Sequence, residues 1–140
     1  MASFTYNPAK VSFAKAEINW VSNTIKAALM TSAYTPDQDT NQYWSDISTN
    51  EFSGGSYAEQ TLATKVVTQD SVNDRATLGS DDVQFTGVTG TFRYVVLYQD
   101  TGVEATSRLI RLIDPEGAAI TLTTGTYDLT VPVGGWISLQ

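Results

Sequence analysis

From Leu62 onward the chain reads as a succession of short β-type segments separated by turn residues, and no other feature restricts the fold as strongly. The segments run from Leu62 to Thr68, Arg75 to Leu78, Val83 to Thr86, Thr91 to Gln99, Ser107 to Ile113, Ala119 to Leu122, Thr126 to Val131 and Trp136 to Leu139. Short segments at this spacing predict a mainly β protein, an antiparallel β-sandwich or barrel. Asp100, Thr101 and Gly102 fit a hairpin connection, Asp114 to Gly117 (Asp-Pro-Glu-Gly) reads as a tight turn, and Gly125 can supply a positive φ between two short strands. Tyr127, Leu129 and Val131 alternate with Asp128 and Thr130, which gives the last hairpin one wet face.

Ahead of this region, Asn7 before Pro8 marks a helix start, because Asn can cap free N–H groups and proline is tolerated at the first helical position. Val11, Ala14, Ile18 and Val21 follow at intervals of three and four, so one short amphipathic helix lying against a sheet is expected. Thr24 to Met30 is apolar and only partly alternating, as in a strand covered on both faces. Residues 31–56 are dense in Pro, Asp, Asn, Ser and Gly and end at Gly54 and Gly55; they read as a long loop with at most one helical turn near Tyr43 to Ile47. With 41% hydrophobic and 16% charged residues, the 140-residue chain has the apolar content to bury a core as a single β-rich domain over residues 1–140. Residues 1–6, carrying Phe4 and Tyr6, are then either an arm reaching a partner or a terminal strand packed on its own domain.

The chain has neither cysteine nor histidine. Disulfide scaffolds, thiolate metal sites, Ser-His-Asp and Cys-His centres and His zinc sites are thereby excluded. Carboxylate chemistry remains, for example two acids flanking a glycosidic bond. The acids that lie close in sequence, Asp37 with Asp39, Asp81 with Asp82 and Asp114 with Glu116, sit in turn-like positions where such side chains bond nearby backbone. Asp37, Asp39 and Asn41 also suggest a calcium loop, but the EF-hand pattern needs a glycine and a glutamate where this chain has Gln42 and Ser48. Gly87 and Gly90 precede a strand and not a helix, so phosphate-loop spacing is missing. No catalytic residue, metal site or cofactor is expected, and the chain is not expected to be an enzyme.

The net charge of −7, from 8 Lys+Arg against 15 Asp+Glu, opposes binding to phosphate backbones, so nucleic acid is not an expected partner. The longest apolar runs, such as Tyr94 to Tyr98, fall far short of the ~20 residues a membrane helix requires. No basic segment followed by an apolar one opens the chain, and synthesis in the cytoplasm is expected.

The aromatic residues are the remaining candidates for a binding surface. Trp20, Trp136, Phe85, Tyr94 and Tyr98 fall in or beside regular elements and are expected in the core. Tyr43 and Trp44 lie in the long polar loop, where they either contact a partner or anchor the loop. Together with Phe4 and Tyr6 they are the candidate partner-binding residues.

Ile25 to Asp37 (Ile-Lys-Ala-Ala-Leu-Met-Thr-Ser-Ala-Tyr-Thr-Pro-Asp) and Tyr43 to Ser48 (Tyr-Trp-Ser-Asp-Ile-Ser) resemble small virion structural proteins of tailed bacteriophages. The resemblance continues through Asn73 to Ala76, Asp81 to Val83 and Arg93 to Thr101, while Ala118 to Val133 departs from the pattern. It implies a virion component, above all a capsid decoration or cement protein that binds the major capsid protein, commonly as a homotrimer. It supplies no catalytic residues. Other expectations from the chain are a tail, head–tail or fibre-attachment component and a carbohydrate-binding module that uses Tyr43 and Trp44.

Overall fold

The computed structural model describes residues 2–140. Met1, the first residue of the candidate arm, lies outside them. The strands are β1 (Phe4–Thr5), β2 (Ile25–Met30), β3 (Gln60–Thr61), β4 (Val66–Asp70), β5 (Arg75–Gly79), β6 (Val83–Phe92), β7 (Tyr94–Gln99), β8 (Leu109–Ile113), β9 (Ile120–Leu129) and β10 (Ile137–Leu139). One helix, α1 (Asn7–Ala14), and short 3-10 turns at Trp44–Asp46 and Ser48–Asn50 complete the regular structure. The strands form a five-stranded sheet in the order β1-β8-β7-β2-β3, a three-stranded sheet β10-β5-β4 and the ribbon β6-β9. All pairs are antiparallel, so the protein is mainly β and sandwich-like with one short helix, as its sequence predicts.

Strands β2 and β7 take the centre because they are apolar on both faces. Every residue of β7 and all of β2 except Lys26 is buried, and the two pair without interruption from Ile25↔Gln99 to Met30↔Tyr94. The β6-β9 ribbon alternates: Val83, Phe85, Val88 and Phe92 are buried while Gln84, Thr86, Thr89 and Thr91 face water. Its aromatic face meets Phe52 and Tyr57, with Phe52 edge-on to both Tyr57 and Phe92. Residues 31–56 do form the expected irregular segment, and it is anchored rather than loose: Trp44, Ile47 and Phe52 are buried. Gly54 and Gly55 let its end run directly on β6. A Cβ on Gly55, which has φ +63°, would stand 2.2 Å from the Gly87 carbonyl oxygen, so only glycine fits there.

Several boundaries differ from the sequence reading. Asn7 is the first helical residue and not the cap; Tyr6 occupies the cap position with no side-chain cap bond. The helix stops at Ala14 because Ala16 adopts φ 60° and the Glu17 N–H returns to the Ser12 carbonyl, a Schellman-type ending. The apolar stripe through Val11, Ala14, Ile18 and Val21 therefore does not exist as a helix face. Val11 and Val21 are more than half exposed, and the helix buries the small residues Ala9 and Ser12.

Of the segment Leu62 to Thr68 only Val66 onward is strand, in β4; β3 ends before it at Thr61, and Thr64 between the two takes φ 53°. Conversely, Val83 to Thr86 continues through Gly87 and Gly90 into one strand, β6, because those glycines form bulges with positive φ instead of a turn. Ala119 to Leu122 and Thr126 to Val131 likewise merge into β9, with the positive φ at Thr124 and not at Gly125. No terminal hairpin forms: β9 pairs with β6, and β10 pairs with β5. Leu129 is buried on β9, whereas Val131 lies beyond the strand.

Candidate functional site

Lys26 and Tyr98 are direct cross-strand partners on β2 and β7, so their side chains leave the five-stranded sheet on the same face. Above them the long loop lays Trp44 on Tyr98, ring planes 11° apart and centroids 4.4 Å apart. The loop is held by the Trp44 N–H to the Ser107 carbonyl at 2.8 Å and by the Leu109 N–H to the Gln42 carbonyl at 2.9 Å. Asp46 closes the turn, its Oδ2 accepting the N–H groups of Gln42 and Tyr43 at 2.9 Å each. Asp46→Ala should cost about 1 kcal/mol in denaturant titration, the usual value of such a cap, and Asp46→Asn should recover most of it.

Beside this stack opens a cavity of about 310 Å³ lined by Trp44, Tyr98, Glu51, Glu59, Asp100 and Glu104 among others. The acids arrive from two connections, Glu51 and Glu59 from that between β2 and β3 and the others from that between β7 and β8. Glu51 bridges to Met30 at the end of β2, Glu59 directly precedes β3, and Asp100 and Glu104 lie between β7 and β8. The carboxyls are tied down. The Tyr57 hydroxyl donates to Glu51 Oε1 at 2.9 Å, the Tyr98 hydroxyl donates to Glu59 Oε2 at 2.7 Å, and the Ser48 hydroxyl donates to Glu104 Oε2 at 3.0 Å. Lys26 pairs with Asp100 at 2.8 Å and lies 3.8 Å from Glu59.

This arrangement separates the acids. The hydrogen bond from Lys26 holds Asp100 below the usual carboxylate range. Burial pushes Glu51 up to about 7, with the Glu59 and Glu104 carboxylates adding to the effect and the Tyr57 hydroxyl opposing it. Burial likewise raises the Tyr57 and Tyr98 phenols well above their ordinary range. The site can therefore hold or release one proton near neutral pH. Among the described residues, no group of three or more acids is arranged to hold a metal ion.

The candidate partner-binding residues are not gathered into one open surface. Phe4 lies on β1, paired with Leu112 of β8, and its ring stands edge-on to Tyr6. Residues 4–6 are thus seated on their own domain. Tyr6 is fully buried, its hydroxyl 2.8 Å from that of Tyr34, and burial raises its phenol above the ordinary range. Trp44 is 4% exposed and offers no open ring face for stacking a sugar, while Tyr43 is half-buried against Arg108. Of the acids close in sequence, Asp37 serves its own turn, its Oδ1 accepting the N–H groups of Asp39 and Thr40, whereas Asp81 accepts from the Thr64 hydroxyl and Asp82 from the Val131 N–H, partners far along the chain. Asp114 pairs with Arg93.

The cluster of Glu51, Glu59 and Glu104 was invisible to spacing, because only the packing of two connections against β2 and β7 brings those residues together. The exposure of Val66 and Val67 was equally hidden in a segment read as ordinary strand. On the β4–β5 hairpin Val66 is 47%, Val67 53% and Val72 90% exposed. No helix of the described residues is long and apolar enough to cross a membrane. In comparisons with known proteins, the chain matches no protein-family model, no curated protein and no solved structure.

Proposed function

We propose that this chain is a structural component of a tailed-bacteriophage particle, acting as a capsid decoration or cement protein that binds the major capsid protein as a homo-oligomer, a trimer in the arrangement its resemblance implies. It acts by contact and not by catalysis. One observation carries the reading. The three longest segments that resemble phage virion proteins meet in the fold: Ile25 to Met30 and Tyr94 to Gln99 form the central strand pair, and Tyr43 to Ser48 docks on it through the Trp44–Tyr98 stack, while the shorter Asn73 to Ala76 and Asp81 to Val83 lie at the β4–β5 turn and the start of β6. The greater part of the resemblance therefore falls on one packed unit, the central strand pair with its docked loop. Around that scaffold the gathered carboxyls are engaged by Tyr57, Tyr98, Ser48 and Lys26, which favours a structural use of them.

The role asks for a stiff body with apolar side chains at its surface, and Val66, Val67 and Val72 are exposed on the β4–β5 hairpin. Immunogold labelling of particles of the phage that encodes the chain tests the proposal. Label distributed over the capsid exterior is the expected result. Label confined to the tail would replace decoration by a tail or fibre-attachment role, and particles without label would overturn the virion reading altogether.

A further inference from the structure

Strand β4 is the outer strand of the β10-β5-β4 sheet, and its free edge is open. Val66, Val67, Thr68 and Gln69 are all exposed. The direction of the backbone groups follows from the ladder. The Leu78 carbonyl accepts the Trp136 N–H on the β10 side, and the Thr68 carbonyl faces Thr77 of β5. Since consecutive residues of a strand direct their N–H and C=O to opposite sides, Val67 and Gln69 point theirs outward, away from β5.

Natural sheets protect such edges with brevity, bulges, proline or charge. The other outer strands have those protections. β1 and β3 are two residues long, β10 is three, and β9 is kinked by Thr124 at φ 44° opposite the bulges of β6. β4 has none: it pairs with β5 without a register shift from Val66 to Asp70. Its flanking charges are spent internally, with Asp70 on Arg75 at 2.9 Å and the Lys65 ammonium bonded to the Asn23 carbonyl. The result is a neutral, β-branched edge on a chain of net charge −7.

We infer that β4 is a self-association edge, joining two copies of this chain by antiparallel β4–β4 pairing about a two-fold axis at Thr68. Two acidic chains repel wherever their carboxylates meet, and this edge is a place where they can approach without doing so. The register is set by the outward groups. Val67 of one copy forms a hydrogen-bonded pair with Gln69 of the other, and Asp70 lies opposite Val66, so no like charges are opposed. A two-fold contact of this kind is self-complementary and closes on itself. It is compatible with three-fold assembly through another face, and it concerns the purified chain alone, so it stands or falls separately from the capsid reading.

The pairing places the two Thr68 residues opposite each other in a non-hydrogen-bonded position, with Cα atoms ~4.5 Å apart, inside the range a disulfide spans. Because the chain has no cysteine, Thr68→Cys reports on this contact without background. Under mild oxidation, Thr68→Cys should form a covalent dimer on non-reducing gels at least roughly tenfold faster than Thr123→Cys, an exposed control on β9, because paired edges raise the effective thiol concentration. Val67→Lys, at an exposed position that does not threaten folding, should abolish that advantage and move the cysteine-free chain to smaller species in sedimentation velocity. Equal rates for the two cysteine variants, or a sedimentation profile that Val67→Lys leaves unchanged, would overturn the inference.

Discussion

Replacing Trp44 with alanine should destabilise the protein by about 3–5 kcal/mol, the usual cost of truncating a buried tryptophan. For a chain of this size that corresponds to a fall in melting temperature on the order of 10 °C or more. The indole is 4% exposed and stacked on Tyr98, which is itself fixed on the central strand β7. Its removal opens a void above the sheet and unseats the segment that carries Asp46 and Ile47, so the loss should exceed the ~0.5–1.5 kcal/mol of the ring pair alone. Trp44→Phe, which keeps a ring on Tyr98, should recover much of it. Thermal melts followed by circular dichroism decide the matter: if Trp44→Ala melts within about 2 °C of the parent, the side chain is not the anchor of the loop.

That prediction turns on something the sequence left open. Tyr43 and Trp44 stood as either partner contacts or anchors, because a long polar segment gives no periodicity from which to read burial. The stack on Tyr98 is a contact between residues far apart in the chain, and no local pattern encodes it. Central strands were legible for the opposite reason: Ile25 to Met30 and Tyr94 to Gln99 are apolar on both faces, and only a covered strand tolerates that. The core placement of Trp20, Phe85, Tyr94, Tyr98 and Trp136 follows from the same logic.

Glycine was the least reliable marker. Gly87 and Gly90 have the positive φ that suggests a turn, yet inside β6 they form bulges that let the strand run on. Positive φ also fell on Thr64, between β3 and β4, and on Thr124, within β9, residues whose left-handed conformation no propensity announces. The acids follow the same division. Of the acids close in sequence, Asp37 caps its own turn as local chemistry dictates, whereas Asp81, Asp82 and Asp114 bond residues far along the chain, and the carboxyls that meet in a cavity were distributed over two connections.

Glu51 gives that cavity a measurable signature. Its folded-state value of about 7 lies above the ordinary 4.5, so between those values the folded chain holds a proton that the unfolded chain has released. Stability from this group is complete below about pH 4.5 and is lost as pH rises through about 7. In a dry site the displacement would be worth roughly 3 kcal/mol; with the carboxyl only partly buried and screened by water, about 1–2 kcal/mol is expected. The groups that face it act in known directions. Glu59 and Glu104 repel its charged form, the Tyr57 hydroxyl stabilises that form, and Asp100 is neutralised by Lys26. Asp100 contributes the opposite slope, since its lowered value yields stability that disappears only as pH falls through the acid range. Glu51→Gln, which keeps an acceptor for Tyr57 and removes the titration, should match the parent at pH 4 and exceed it by about 1–2 kcal/mol at pH 8. Urea titrations of both proteins at the two pH values, followed by tryptophan fluorescence, provide the comparison. Parallel pH profiles would mean that Glu51 is fully ionised in the folded protein and that the carboxyl cluster holds no proton.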